Sequence, residues 1–76
     1  MRFQITMNMP SRAGNPVHQI ICDYDVNSLA EFCDALYELG FLVVREVYKD
    51  GESGQYYQVG EVAVNSRWVG KVKVFT

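Results

Sequence analysis

The chain has 76 residues, a hydrophobic fraction of 49% and a formal net charge of −2. That length implies one domain, 1–76, which buries only about 60% of its unfolded surface; the apolar fraction excludes disorder, and no apolar run approaches the ~20 residues of a membrane helix. The mild negative charge supplies no global basic field, and two cysteines are too few for a secreted disulfide scaffold.

The first stretch, RFQITMNM, sets Phe3, Ile5, Met7 and Met9 on one side and Arg2, Gln4, Thr6 and Asn8 on the other. This period of two predicts a half-buried strand, and it is not the unbroken apolar run of a signal peptide, so a soluble, cytoplasmic protein is expected. Pro10 ends the strand and opens PSRAGNP, 10–16, longer than a tight hairpin needs. It reads either as slack chain or as a contact loop led by Arg12. VHQIICDY, 17–24, is a second strand with apolar residues on both sides.

DVNSLAEFCDALYELG predicts the helix. Ser28 and Glu31 fit a capping box, with Asn27 a rival cap, and Gly40 is a natural stop. Leu29, Phe32, Cys33, Leu36 and Leu39 form a stripe at helical spacing, with Glu31, Asp34, Ala35 and Glu38 on the other side. FLVVREVYK predicts a strand buried on both faces at its start, and DGESG a turn. QYYQVGEVAVN predicts a strand bulged at Gly60, Asn65-Ser66 a short hairpin turn, and RWVGKVKVF the last strand.

The order β-β-α-β-β-β predicts an α+β domain: a single helix packed on one face of a five-stranded, mainly antiparallel sheet. If the helix returns the chain so that strand three runs parallel to strand two, strand one lies between them. The spatial order expected is 2-1-3-4-5, with strands three to five a meander.

One helix is ~10–12 Å across, whereas five strands span ~20–24 Å. An apolar surplus is therefore expected on the far face, at Val17, Ile21, Phe41, Val43, Val47, Val69 and Phe75. Arg45, Lys49, Arg67, Lys71 and Lys73 lie among them. Either the lysine and arginine stems cover that surface, or a second copy or another partner does.

Chemistry is sparse. His18 stands alone, and no serine or cysteine has a base and an orienting group in view, so an enzyme is not expected. Two cysteines and one histidine without close spacing make no zinc site; no metal or cofactor is expected. Cys22 and Cys33 read as two buried thiols, or as a single strand-to-helix disulfide. Asp23 and Asp25 precede the helix, where its dipole favours negative charge. Glu31, Asp34 and Glu38 make the helix back acidic: a solvated face, or one that meets a basic surface. The strand cations Arg45, Lys49, Arg67, Lys71 and Lys73, with tyrosines nearby, could instead follow a phosphate backbone.

The strings MNMPSRAGNPVHQII and VNSLAEFCDALYELGFLVVREVYKDG resemble small uncharacterised proteins of phages and other mobile elements. The resemblance carries no functional motif. It implies an accessory factor that binds and blocks a host protein, a group to which anti-CRISPR proteins belong. The expected partner-binding residues are Arg12, Glu31, Asp34, Glu38, Arg45, Lys49, Arg67, Lys71 and Lys73. A protein partner or a homodimer is expected, and nucleic acid is the alternative.

Overall fold

The computed structural model of the chain describes residues 1–8 and 17–76. The loop 10–16 with Arg12 lies outside them. The elements are β1 (Arg2–Asn8), β2 (Val17–Asp23), α1 (Leu29–Leu39), β3 (Phe41–Lys49), β4 (Tyr56–Asn65), a 3-10 turn (Ser66–Trp68) and β5 (Val69–Val74). One helix packs on one five-stranded antiparallel sheet, the α+β arrangement expected.

The helix is built as its sequence predicts. Ser28 Oγ accepts from the Glu31 N–H at 3.1 Å, and the Glu31 carboxylate accepts from the Asn27 N–H at 3.0 Å. The reciprocal bond of the capping box is thus displaced by one residue. Gly40, at φ +75, ends the helix and donates to the Leu36 carbonyl at 3.0 Å.

The strand order is β4-β3-β2-β1-β5, not 2-1-3-4-5. Two expectations fail together. First, α1 does not bring the chain back along β2. Strands β2 and β3 are antiparallel neighbours, joined only where Ile21–Asp23 meet Arg45–Val47. Phe41 lies four residues before Arg45, beyond the end at which β2 finishes, so β3 starts where the helix leaves it. Second, Asn65-Ser66 is not a hairpin turn. The Asn65 side chain accepts from the Arg67 N–H at 3.0 Å and opens the 3-10 turn, which delivers β5 to the opposite edge, beside β1.

That short connection fixes the shape of the sheet. In a flat sheet β4 and β5 would stand ~19 Å apart, four strand spacings. Only Ser66–Trp68 join them, and a 3-10 turn advances ~2 Å per residue. Asn65 pairs with Phe41 at one end of the sheet, and Val69 with Met7 at the other, so the turn links diagonal corners. The other two corners also meet: the Tyr56 and Phe75 rings are 5.1 Å apart, centroid to centroid. Trp68 packs on the helix side, whereas Tyr56 lies under the guanidinium of Arg2, on the far side. The right-handed twist of strands, carried this far, makes a saddle with a hollow on each face.

The helix-side hollow holds the core: Phe3, Ile5, Met7, Cys22, Phe32, Leu36, Leu42, Val44 and Val64. Phe32 stacks on Phe3 with ring centroids 4.2 Å apart, and Tyr24 meets Phe32 edge-on. Saddle curvature also removes most of the expected far-face surplus. Val47 is buried, Ile21 is half-buried, and Phe75 is half-buried against Tyr56. Val69 joins the core, because the β1–β5 register skips Gly70 and turns Val69 inward opposite Met7. Phe41 and Val43 remain exposed. Within α1, Ala35 packs on the core although the stripe placed it outside, and Leu39 is exposed although the stripe placed it inside. Cys22 and Cys33 are both free, Cys22 buried and Cys33 half-buried. The bulge at Gly60 is present, at φ +146, where the β3–β4 register shifts.

Candidate partner-binding surfaces

The expected binding residues do not form one patch. Glu31 is committed to the helix cap, leaving Asp34 and Glu38 exposed on α1. Arg45 pairs with Asp25 at 3.1 Å. The Arg67 guanidinium lies 5.5 Å from the Trp68 ring centroid. Lys71 and Lys73 are exposed on β5 opposite Thr6 and Gln4, whereas Lys49, at the end of β3, is separated from them by β2 and β1.

Asp23 and Asp25, which precede the helix as the sequence shows, both belong to ion pairs, and the cap itself is Ser28. Asp23 sits opposite Arg2 in the β1–β2 register and takes both arms of the guanidinium, from Nε at 2.7 Å and from Nη2 at 3.1 Å. Gln58, on β4, donates to the same carboxylate at 3.0 Å. These bonds, Arg2 first, hold the Asp23 carboxyl below the usual carboxylate range, and the pairing raises the Arg2 pKa. The pair floors a trough of about 620 Å³ in the far-side hollow, walled by Arg45 and Asp25 on one flank and Tyr56 and Phe75 on the other. The charges of Arg2 and Asp23 satisfy one another, so the pair is a brace across β1, β2 and β4.

His18 is exposed on β2. Among the described residues no three His, Cys, Asp or Glu side chains come together as a metal site, and no helix is long and apolar enough to cross a membrane. Burial, with Asp23 and Glu46 adding to it, pushes the Cys22 thiol up to about 12.

Phe41 and Val43 belong to the far-face surplus expected from the sequence; what sequence reasoning missed is the exposure of Tyr37 and Leu39, which extends it along the chain into an apolar run at the helix-to-strand junction. Tyr37 is 76% exposed, Leu39 66%, Phe41 59% and Val43 55%. The β3–β4 pairing from Phe41 to Val44 extends past the end of β2, and the last turn of α1 leads straight into it through Gly40. Core contacts face Leu36, Leu42 and Val44 and leave the intervening residues open. The signal available in sequence was the helix stop directly against an apolar strand, with no polar linker between.

No protein-family model, no curated protein and no solved structure matches the chain.

Proposed function

We propose that the chain is a non-enzymatic protein-binding module that engages its partner through the apolar run 37–43 and the acidic residues beside it. One observation carries this reading. Four of the nine exposed large hydrophobic side chains among the described residues fall within those seven positions. Exposed apolar residues scattered singly are ordinary, whereas exposed apolar residues gathered together mark a contact site. Here they are gathered along the chain, Tyr37 and Leu39 on α1 and Phe41 and Val43 on the face of β3 turned away from it, so the partner must wrap the junction. Covering four such side chains, each more than half exposed, contributes roughly 1 kcal/mol apiece. Asp34 and Glu38 stand on the same helix, so a partner with Lys or Arg around an apolar patch is favoured, and its encounter is accelerated. The finer reading is an accessory protein of the phage type that inhibits a host protein, acting in the host cytoplasm; it rests on the sequence resemblance.

The test is affinity capture from a host lysate with the native chain, with Phe41→Glu and with Lys71→Glu combined with Lys73→Glu. A protein that co-purifies with the native chain and with the lysine variant, and is lost with Phe41→Glu, supports the proposal. Capture that survives Phe41→Glu overturns it.

Nucleic-acid binding is the second reading, supported by the adjoining exposed lysines of β5. Two phosphate contacts give a salt slope of only about −1.8, too shallow for more than weak binding. Salt-dependent retention of a DNA or RNA probe, abolished by the lysine double variant, would promote this reading over the first.

A further inference from the structure

The two edges of the sheet are guarded unequally. Edge strands offer unpaired backbone N–H and C=O groups, and lysines are a common means of keeping other strands away. On β5, two of six residues, Lys71 and Lys73, are exposed lysines. On β4, Glu61 is the only charged residue in ten, and among the described residues no strand lies beyond it. The Gly60 bulge interrupts the upper part of β4, which leaves Glu61–Asn65 as a regular segment between the bulge and the 3-10 turn.

We propose that this segment is a self-association edge, pairing antiparallel with the same segment of a second copy of the chain about a two-fold axis through Ala63. A pairing centred there is self-complementary. Ala63, small and exposed, meets its own copy at the axis, where Cβ atoms stand only ~4.5–5.5 Å apart. Val62 faces Val64 of the second copy. Glu61, the one charge, faces Asn65 of the second copy, so no like charges oppose each other. On the far side of the sheet Ala63 is paired with the exposed Val43 of β3, whose side chain the added strand would partly cover. A five-residue ladder buries an area at the low end for specific interfaces, so the dimer is reversible, with a dissociation constant in the micromolar range or weaker. The edge lies beside Phe41 and Val43 of the protein-binding reading, but the pairing is argued from β4 alone and does not rest on that reading.

Sedimentation equilibrium of the purified chain, from low micromolar to near-millimolar concentration, tests it. A concentration-dependent monomer–dimer equilibrium is expected. Ala63→Lys places two ammonium groups on the axis and weakens dimerisation roughly tenfold or more. Ala63→Glu alone does the same. Mixing the two variants restores a dimer, which separates a lost interface from a lost fold. Lys71→Ala on the opposite edge leaves the equilibrium unchanged. A monomer across the whole range overturns the proposal, and so does a dimer indifferent to Ala63→Lys.

Discussion

Tyr56 opens β4 at one edge of the sheet and Phe75 follows β5 at the other, yet their rings meet edge-to-face at 5.1 Å. With Arg2 above Tyr56, this contact closes one diagonal of the saddle; Ser66–Trp68 close the other. The two closures explain how a single short helix suffices for five strands: the sheet covers part of its own apolar surface.

The core depends on Phe32 more than on any other helical residue. It is fully buried, stacks on Phe3 and receives Tyr24 edge-on. Phe32→Ala removes both aromatic contacts and leaves a cavity, at a cost of about 3–5 kcal/mol. A single core in a domain of about this size rarely supplies more than about 3–5 kcal/mol, so the loss is comparable with the whole folding free energy and urea denaturation should find the variant at least partly unfolded without denaturant.

Asp23 gives stability an acid limb. Its carboxyl titrates below its ordinary 3.8 in the folded chain, so the unfolded chain binds protons more readily. The contribution is complete above the ordinary carboxylate range and is lost as pH falls through the folded value. Asp23→Asn should lower stability near neutrality by roughly 1 kcal/mol, given the partial exposure of Arg2. It should also flatten the decline measured between pH 5 and pH 2. Asp50 is displaced in the same direction by the Glu52 N–H and the Ser53 hydroxyl, so some acid dependence remains in the variant.

The thiols should separate by reactivity. Cys22 stays protonated to about 12, whereas an unfolded thiol ionises near 9.0. Between those values the folded chain holds the extra proton, so stability falls as pH rises past 9. Iodoacetamide at pH 8 should leave Cys22 unmodified in the native protein and label it on unfolding. Mass spectrometry of digested samples reads this directly, and native labelling of Cys22 would contradict its burial.

Gly40 is held at φ +75, and the space around its missing Cβ is open. Gly40→Ala therefore meets no neighbour, and its cost is purely that of the left-handed backbone, about 1–2 kcal/mol. Its ψ of −34 lies outside the left-handed helical basin that asparagine tolerates, so Gly40→Asn should cost as much. Thermal unfolding checks this: variants as stable as the native chain would show that the backbone conformation is not the cause.

Local order was legible in the residues because local physics sets it. The period of two in RFQITMN, the Ser28 cap, the Gly40 stop and the Gly60 bulge all depend on groups a few positions apart, and each formed where its chemistry required. The count of one helix and five strands followed from them. Of the candidate surface, the exposure of Asp34, Glu38, Lys71 and Lys73 and the capping role of Glu31 were readable, whereas the exposure of Leu39 was not.

Only the tertiary structure decided which strands became neighbours, because pairing joins residues far apart and many orders satisfy the same alternation. Arg2 meets Asp23 across 21 positions, and Gln58 reaches Asp23 across 35. The register slip at Gly70 turned Val69 inward, and a three-residue turn carried β5 to the opposite edge. Twist accumulated over five strands then set which apolar side chains were covered and which were left facing water; it is a property of the whole sheet, and no single segment encodes it.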